Sequence, residues 1–191
     1  PGVKQVAEVD AGVAVIAEGF WPAQKGREAL RVEWDYGEHA GLSSSAIDRR
    51  FREAADSGNA AVARSEGDAA GALQEAEQVV EAEYEVPFLA HACMEPMNAT
   101  ARITDEACEV WAPTQDQTTA QQKAVEISGL PKDRVQVHTT FLGGGFGRRS
   151  HPDFVVDALQ CAKAAGAPVK VIWTREDTTR HDRFRPATFN R

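Results

Sequence analysis

Cysteine is scarce and is not arranged for metal clusters or disulfides. The three cysteines, Cys93, Cys108 and Cys161, form no CxxC pair and leave one residue over in any disulfide scheme. This argues against a disulfide framework and against a structural zinc or iron–sulfur site within the chain. Cys161 lies at helical spacing from Phe154 and Ala158, which predicts a small buried helix residue.

Long apolar runs are missing as well. No segment approaches the ~18 residues of a membrane span, and no signal-peptide pattern opens the sequence. The first residue is Pro1, and residues 185–191 are charged without forming a clear closing element. We therefore expect an internal piece of a longer polypeptide, with no membrane span of its own, whose localisation this stretch does not reveal.

Basic charge is sparse outside the C-terminal third. The net charge is −8, made up of +5 over residues 131–191 and −13 over residues 1–130. No long basic face is available, which disfavours a general nucleic-acid binder. Because the basic excess surrounds a glycine-rich stretch, it favours a small anionic ligand that is held locally.

The order of helical and alternating patterns predicts an α+β fold instead of a doubly wound parallel sheet, since helices and strands interleave irregularly. Residues 1–35 are predicted to form two strands, a helix and a strand. Helices are then predicted from Ser44 or Ser45 and over 68–77, and a strand from residue 79. The remaining predicted elements are a hairpin over 98–111, a helix capped by Thr119 and closed by Gly129, a strand over 135–141, a helix over 152–165 that ends at Gly166, and a strand over 169–173.

The glycine-rich stretch, FLGGGFGRRS, follows a strand pattern and precedes a helix, so it is predicted to bring bare backbone N–H groups close to a helix N-terminus. A dinucleotide-binding register that starts at Gly143 has Arg148 in place of its third glycine. A phosphate-loop register fails at the same residue and has Arg149 instead of lysine. Two interpretations remain: an anion cradle in which both arginines grip phosphate, or a structural turn.

Three other stretches carry polar side chains that suit a site. His91 and Glu95, in HACMEP, are predicted to act as an acid–base or metal-ligand pair, or else Glu95 ties loop N–H groups together. Gln115, in WAPTQ, is predicted to donate to a ligand oxygen or to cap a helix. The mixed charges of residues 173–185 predict a solvated surface or a subunit contact.

Taken in order, the motifs HAxMEP, WAPTQ, GLPxxxVxV, GGGFGRR and WTRED resemble the large subunits of molybdenum hydroxylases, the xanthine dehydrogenase and aldehyde oxidase family. Within that family, the beta subunits of isoquinoline 1-oxidoreductases are the most similar, and the resemblance spans essentially the whole chain. It implies the C-terminal part of an α/β hammerhead domain at 1–38 and the first part of a molybdenum-cofactor-binding domain at 39–191.

The resemblance also implies a cofactor, a partner and a reaction. The cofactor is molybdopterin in its cytosine dinucleotide form, and the partner is a small subunit that carries iron–sulfur clusters. The parent enzyme hydroxylates an N-heterocycle or an aldehyde with water as the oxygen source, in the bacterial periplasm or cytoplasm. The family's general base has no counterpart here, so this fragment alone is expected to be inactive. The alternative is a non-catalytic binding or assembly module with a structural glycine loop.

Position by position, the resemblance assigns Gln115 the hydrogen bond to a molybdenum oxo ligand and sets the loop backbone against the metal. No side chain of this chain is expected to ligate the metal. Arg148 is expected to contact a phosphate or the pterin on the ground of its charge. Ser150 replaces an acidic residue of purine-oxidising relatives, so a purine substrate is not expected. The expected cofactor-binding residues are Gln115, Gly144, Gly145, Phe146, Gly147 and Arg148.

Overall fold

A computed structural model describes residues 1–191 as a mixture of helices and short strands. The chain separates into two units, one made of residues 1–32 and 90–184, the other of residues 33–89 and 185–191. The glycine-rich stretch lies in the first unit. No helix combines the length and the apolar character that a membrane span requires.

Most elements match the predicted helices and strands, whereas the helix Arg175–Arg180 and the strand Thr188–Asn190 were not predicted. The helices are α1 (Phe20–Ala29), α2 (Ser44–Asp56), α3 (Ala69–Glu75), α4 (Gln117–Ser128), α5 (Asp153–Ala165) and α6 (Arg175–Arg180). The strands are β1 (Val3–Val9), β2 (Gly12–Ala17), β3 (Tyr84–Val86), β4 (Asn98–Ile103), β5 (Cys108–Ala112), β6 (Val135–Thr139), β7 (Val169–Ile172) and β8 (Thr188–Asn190).

The first unit is built on a four-stranded sheet in the order β6-β5-β4-β7. Strands β5 and β6 are parallel, and the other neighbours are antiparallel. Alternation along the strands buries Ala99 and Val110 on the face against which Phe154 and Leu159 of α5 pack. The opposite face carries polar residues such as Thr100. The core therefore lies between the sheet and helices α4 and α5. It fixes the position of β5, whose C-terminal end leads into the candidate stretch WAPTQ.

The first 32 residues are joined to this core by polar contacts. The amide of Gln5 donates to the carbonyl of Ala164 at the end of α5 (3.2 Å). On α1, both terminal nitrogens of Arg27 donate to the carboxylate of Asp177 at 2.6 Å. The hairpin β1-β2 and α1 thus belong to the same unit as the sheet, while the division of the chain at residue 38 stays a prediction.

The second unit contains α2, α3 and the antiparallel pair β3-β8. Its surface carries ion pairs that join Arg52 to Glu83 and Glu85, and Arg191 to Glu83 and Asp56. Both arginines lie over the ring of Phe189. None of its helices contributes a buried residue, so this unit is held mainly by surface contacts.

Several predicted ends of elements are wrong. Residues 30–35 form no strand, and the alternating run from residue 79 becomes a strand only at Tyr84–Val86, where it finds a partner in β8. Ser43 caps α2, instead of Ser44 or Ser45. The C-caps Gly129 and Gly166 are confirmed, since both adopt the left-handed conformation that ends α4 and α5. Cys161 is buried in α5, as predicted.

Candidate functional site

Three of the four candidate stretches meet at the glycine-rich loop. The backbone N–H of Glu95, in HACMEP, donates to the carbonyl of Gly143 at 3.0 Å. From WAPTQ, the N–H of Gln115 and the hydroxyl of Thr114 both donate to the carbonyl of Arg149, at 3.1 and 3.2 Å. Residues far apart in sequence are thereby brought to one loop, which is what a binding site needs and a local turn does not.

The side chain of Gln115 is oriented by the loop. Its Oε1 accepts hydrogen bonds from the backbone N–H groups of Gly147 (3.1 Å) and Arg149 (3.3 Å). A Cβ at Gly145 would stand 2.4 Å from the same Oε1, so only glycine admits this contact. With Oε1 engaged, Nε2 of this exposed side chain is left as a donor without an acceptor in the chain.

The predicted capping role of Gln115 is wrong. Helix α4 is capped by Asp116, whose carboxylate accepts from the N–H of Thr119 at 2.9 Å and from its hydroxyl at 2.6 Å. These hydrogen bonds lower the pKa of Asp116. Thr119, predicted as the cap, is instead the residue that the cap binds, because the carboxylate three positions earlier reaches the first free N–H groups.

The loop backbone is held in an unusual conformation. Phe146 has a φ of +54° and, with Ala92 at +48° in HACMEP, is one of two non-glycine residues with positive φ. Such conformations carry backbone strain, and strained residues cluster at functional sites. Gly147 has a φ of +94°, which glycine adopts without strain. The N–H groups of Gly144 and Gly145 donate to no acceptor within the chain, so the loop offers backbone donors.

Arg149 connects the loop to HACMEP. Its Nε donates to the carbonyl of Gly144 at 2.7 Å, and its Nη2 donates to the carbonyl and to Oε2 of Glu95, at 2.8 and 2.9 Å. The same Oε2 accepts from the N–H of Gly143 at 3.0 Å, while Oε1 accepts from Asn98. Glu95 therefore ties loop groups together, which confirms the second of the two interpretations offered for it.

Arg148 points the opposite way, into a cluster of carboxylates. Its terminal nitrogens donate to both oxygens of Asp153 at 2.9 and 2.7 Å, and its Nε lies 2.6 Å from Oδ1 of Asp182. The guanidinium also lies over the ring of Trp173, 5.5 Å from its centre. Both loop arginines are fully buried. Neither side chain projects to grip a phosphate, as the charge pattern had suggested.

The helix that follows the loop does not extend it as an anion site. A 3-10 turn at Arg148–Ser150 separates the loop from α5. In the first turn of α5, Asp153 accepts from the N–H of Phe154 at 2.9 Å while it binds Arg148. The positive end of this helix is thus already matched by a carboxylate of the chain.

His91 pairs with an aspartate that sequence reasoning overlooked. Its Nδ1 lies 3.2 Å from both oxygens of Asp182, and its backbone N–H donates to the same carboxylate. The predicted pairing of His91 with Glu95 is wrong. The carboxylate of Glu95 binds Arg149, whereas His91 lies beside Asp182, which binds Arg148. No group of three or more metal-ligating side chains gathers here or elsewhere in the chain.

The stretch at residues 173–185 is more than a solvated surface. Asp182 is buried, and the guanidinium of Arg175 donates to the backbone carbonyls of Cys93 (2.7 Å) and Met94. The stretch at residues 173–185 therefore fixes the backbone of HACMEP. These contacts could not be predicted from the sequence, because the charge pattern of residues 173–185 does not distinguish the buried Asp182 from its exposed neighbours.

The carboxyl group of Asp157, on α5, has a raised pKa. Burial raises the pKa of Asp157 to about 6, and the nearby carboxylate of Asp153 adds to the increase. Hydrogen bonding from Nε1 of Trp173, at 3.0 Å, opposes the increase only in part.

The donor set of the loop suits an anionic, oxygen-rich ligand. It consists of Nε2 of Gln115 and the N–H groups of Gly144 and Gly145. Such donors bind a ligand's oxygens, whereas a bare metal ion would require acceptors.

Comparisons with known proteins bear on this site. The molybdopterin cofactor-binding domain family matches residues 51–191. The chain is 32% identical to the beta subunit of isoquinoline 1-oxidoreductase of Brevundimonas diminuta, over 98% of this chain and 25% of that protein. It is 34% identical to a membrane-bound aldehyde dehydrogenase [pyrroloquinoline-quinone] of Gluconacetobacter polyoxogenes, over 96% and 24%. The chain thus spans about a quarter of the length of these curated relatives.

Solved structures give the same picture of the fold. The structure resembles quinoline 2-oxidoreductase from Pseudomonas putida 86 with a TM-score of 0.66 and 18% identity, over 93% of this chain and 28% of that one. It also resembles the aldehyde oxidoreductase of Desulfovibrio gigas, with a TM-score of 0.54 and 21% identity over 63% and 14%. At these identities the likeness concerns the fold alone.

Proposed function

The chain belongs to the molybdopterin cofactor-binding domain family, and from this premise we propose that Gln115 and the glycine-rich loop hold a molybdopterin cofactor in a molybdenum-dependent oxidoreductase. The observation that carries the proposal is the orientation of Gln115. Two loop N–H groups occupy its Oε1 and leave its Nε2 as a donor. A preset donor beside unpaired backbone N–H groups fits a cofactor rich in anionic oxygens.

When bound, the cofactor supplies the redox chemistry of hydroxylation with water. The chain's own residues bind and orient it. Nε2 of Gln115 would donate to an oxygen of the cofactor, and the N–H groups of Gly144 and Gly145 would donate beside it. Phe146 and Gly147 would present the loop backbone to the cofactor. Arg148 contributes to the site indirectly. Its guanidinium binds Asp153 and Asp182 and thereby fixes the backbone where the loop ends.

The substrate class that we propose for the parent enzyme is an N-heterocycle or an aldehyde. Support comes from the names of the two relatives, an isoquinoline oxidoreductase and an aldehyde dehydrogenase. The cofactor is proposed to be the cytosine dinucleotide form, and the electrons to leave through iron–sulfur clusters on a small partner subunit. The isoquinoline oxidoreductase and a nicotinate dehydrogenase of Pseudomonas putida are both named as single subunits of their enzymes, which supports a multi-subunit enzyme.

Elemental analysis of the complete, co-expressed complex tests the cofactor. We expect molybdenum in a stoichiometric ratio to the large subunit, together with a pterin that is released on denaturation. Iron in the same preparation, lost when the small subunit is removed, would support the electron route. A complex free of molybdenum would contradict the proposal and leave a non-catalytic binding or assembly module as the function of the loop.

A further inference from the structure

We propose that Glu95 and Arg149 act as a positioning pair that sets the shape of the cofactor loop without contacting the cofactor. This inference rests on the proposed function. Neither residue belongs to the cofactor-binding set inferred from sequence. Their contacts join Gly143 and Gly144 of the loop to Arg149 in the 3-10 turn that follows it.

The contacts of the pair close the loop upon itself. Oε2 of Glu95 accepts from the N–H of Gly143, the first of three consecutive glycines, and from Nη2 of Arg149, in the 3-10 turn that follows the loop. The guanidinium also holds the carbonyl of Gly144 through Nε at 2.7 Å. A Cβ at Gly143 would stand 2.6 Å from Cβ of Glu95, so the loop and the glutamate approach as closely as backbone allows.

The pair also determines where Gln115 lies. The N–H of Arg149 donates to Oε1 of Gln115, and the carbonyl of Arg149 accepts from the N–H of Gln115. The residue that binds Glu95 through its side chain thus binds Gln115 through its backbone. A shift of the guanidinium therefore moves the loop and the donor amide at the same time.

Burial makes the pair hard to replace. The side chain of Arg149 is fully buried, whereas that of Glu95 is 34% exposed. A guanidinium carries its donors in a rigid planar fork and can bond Gly144 and Glu95 together, whereas a lysine ammonium is a single point charge. A buried charge that loses its partner is costly. Loss of either residue should therefore displace the loop more than an exposed ion pair would.

The test uses Glu95→Gln, Arg149→Lys and the double variant in the complete complex. Matched controls are Glu109→Gln and Arg102→Lys, which alter an ion pair on the outer face of the sheet. We would measure molybdenum per protein, the rate of metal loss during dialysis and the molybdenum electron paramagnetic resonance spectrum. Each single variant should lose metal about tenfold faster, equivalent to about 1.4 kcal/mol, and should give an altered spectrum.

The double variant should lose metal no faster than the worse single variant, because both changes break one unit. Retention and spectra equal to the controls in Glu95→Gln would overturn the proposal. So would a defect confined to Arg149→Lys, since that result indicates direct cofactor contact by the arginine. Glu95→Gln keeps the size of a partly exposed side chain, so it answers the question even if Arg149→Lys fails to fold. Wild-type complex without molybdenum would instead contradict the proposed function.

Discussion

Arg148 and Asp182 form an ion pair of 2.6 Å in which both side chains are fully shielded from solvent. The pair joins the end of the glycine-rich loop to the chain that follows α6, and Asp182 also accepts from the backbone N–H of His91. One carboxylate in the stretch 173–185 thus binds both the glycine-rich loop and HACMEP. Its loss would leave Arg148 with Asp153 alone.

Asp182→Ala is expected to lower the free energy of unfolding by about 3 kcal/mol, because the change leaves a buried cation short of a partner and a backbone N–H without its acceptor. Chemical denaturation of the variant and of wild type measures the difference. Asp105→Ala, in the exposed turn between β4 and β5, is the control and should change stability by less than about 0.5 kcal/mol. Equal values for the two variants would mean that the pair contributes nothing to stability.

Asp157→Asn is expected to stabilise the protein in a pH-dependent way. The native pKa of Asp157, about 6, lies above its ordinary value of 3.8, so ionisation of the folded state weakens stability as pH rises through this window. Below pH 4 the carboxyl is neutral in both states and the effect vanishes. Asparagine retains an oxygen for Nε1 of Trp173, and the variant should gain up to about 3 kcal/mol at pH 8.

Denaturation curves at pH 4 and pH 8 check this sign. The gain of Asp157→Asn should appear at pH 8 and be small at pH 4. Glu106→Gln, in the same exposed turn as Asp105, serves as the control and should show no comparable change between the two values. A gain of equal size at both pH values would show that packing, and not the charge, is responsible.

Much of the site was predictable from sequence because its signals are local. Glycines at helix ends predicted the C-caps of α4 and α5, and the motif order predicted the family, which the comparisons confirm. The roles of the two arginines were not predictable. Adjacent loop residues point in opposite directions, and which one meets Glu95 or Asp182 depends on chain segments far away in sequence.

The errors at element ends have a similar physical origin. Asp116 and Thr119 both have capping side chains, and the choice between them depends on the backbone angle at the end of WAPTQ. Glutamates alternate with apolar residues at positions 79–86, but only Tyr84–Val86 pairs with another strand. An alternating pattern indicates that a segment is suited to a β-sheet, but a strand forms only where a second strand is available to pair with it.

Gly145→Ala is expected to disrupt the site more than the fold. The added methyl group would stand 2.4 Å from Oε1 of Gln115, so the amide must rotate away and release the N–H groups of Gly147 and Arg149. Turnover per bound molybdenum in the complete complex should fall, while the melting temperature should change by only a few degrees. Gly41→Ala, where a Cβ meets open space, is the matched control. Full turnover in Gly145→Ala would show that the site tolerates displacement of Gln115.

Gln115→Ala in the complete complex tests the donor itself. We expect it to retain most of its molybdenum, because the loop keeps its bonds to Glu95 and Arg149, but to lose turnover by about a hundredfold, as removal of one preset donor typically does. Gln122→Ala, an exposed glutamine of α4, is the control and should retain full turnover. Because metal content and rate are measured on the same preparation, a loss of rate at unchanged metal content assigns the defect to the missing donor. Unchanged turnover in Gln115→Ala would remove this residue from the site and leave the loop backbone as the only cofactor contact in the chain.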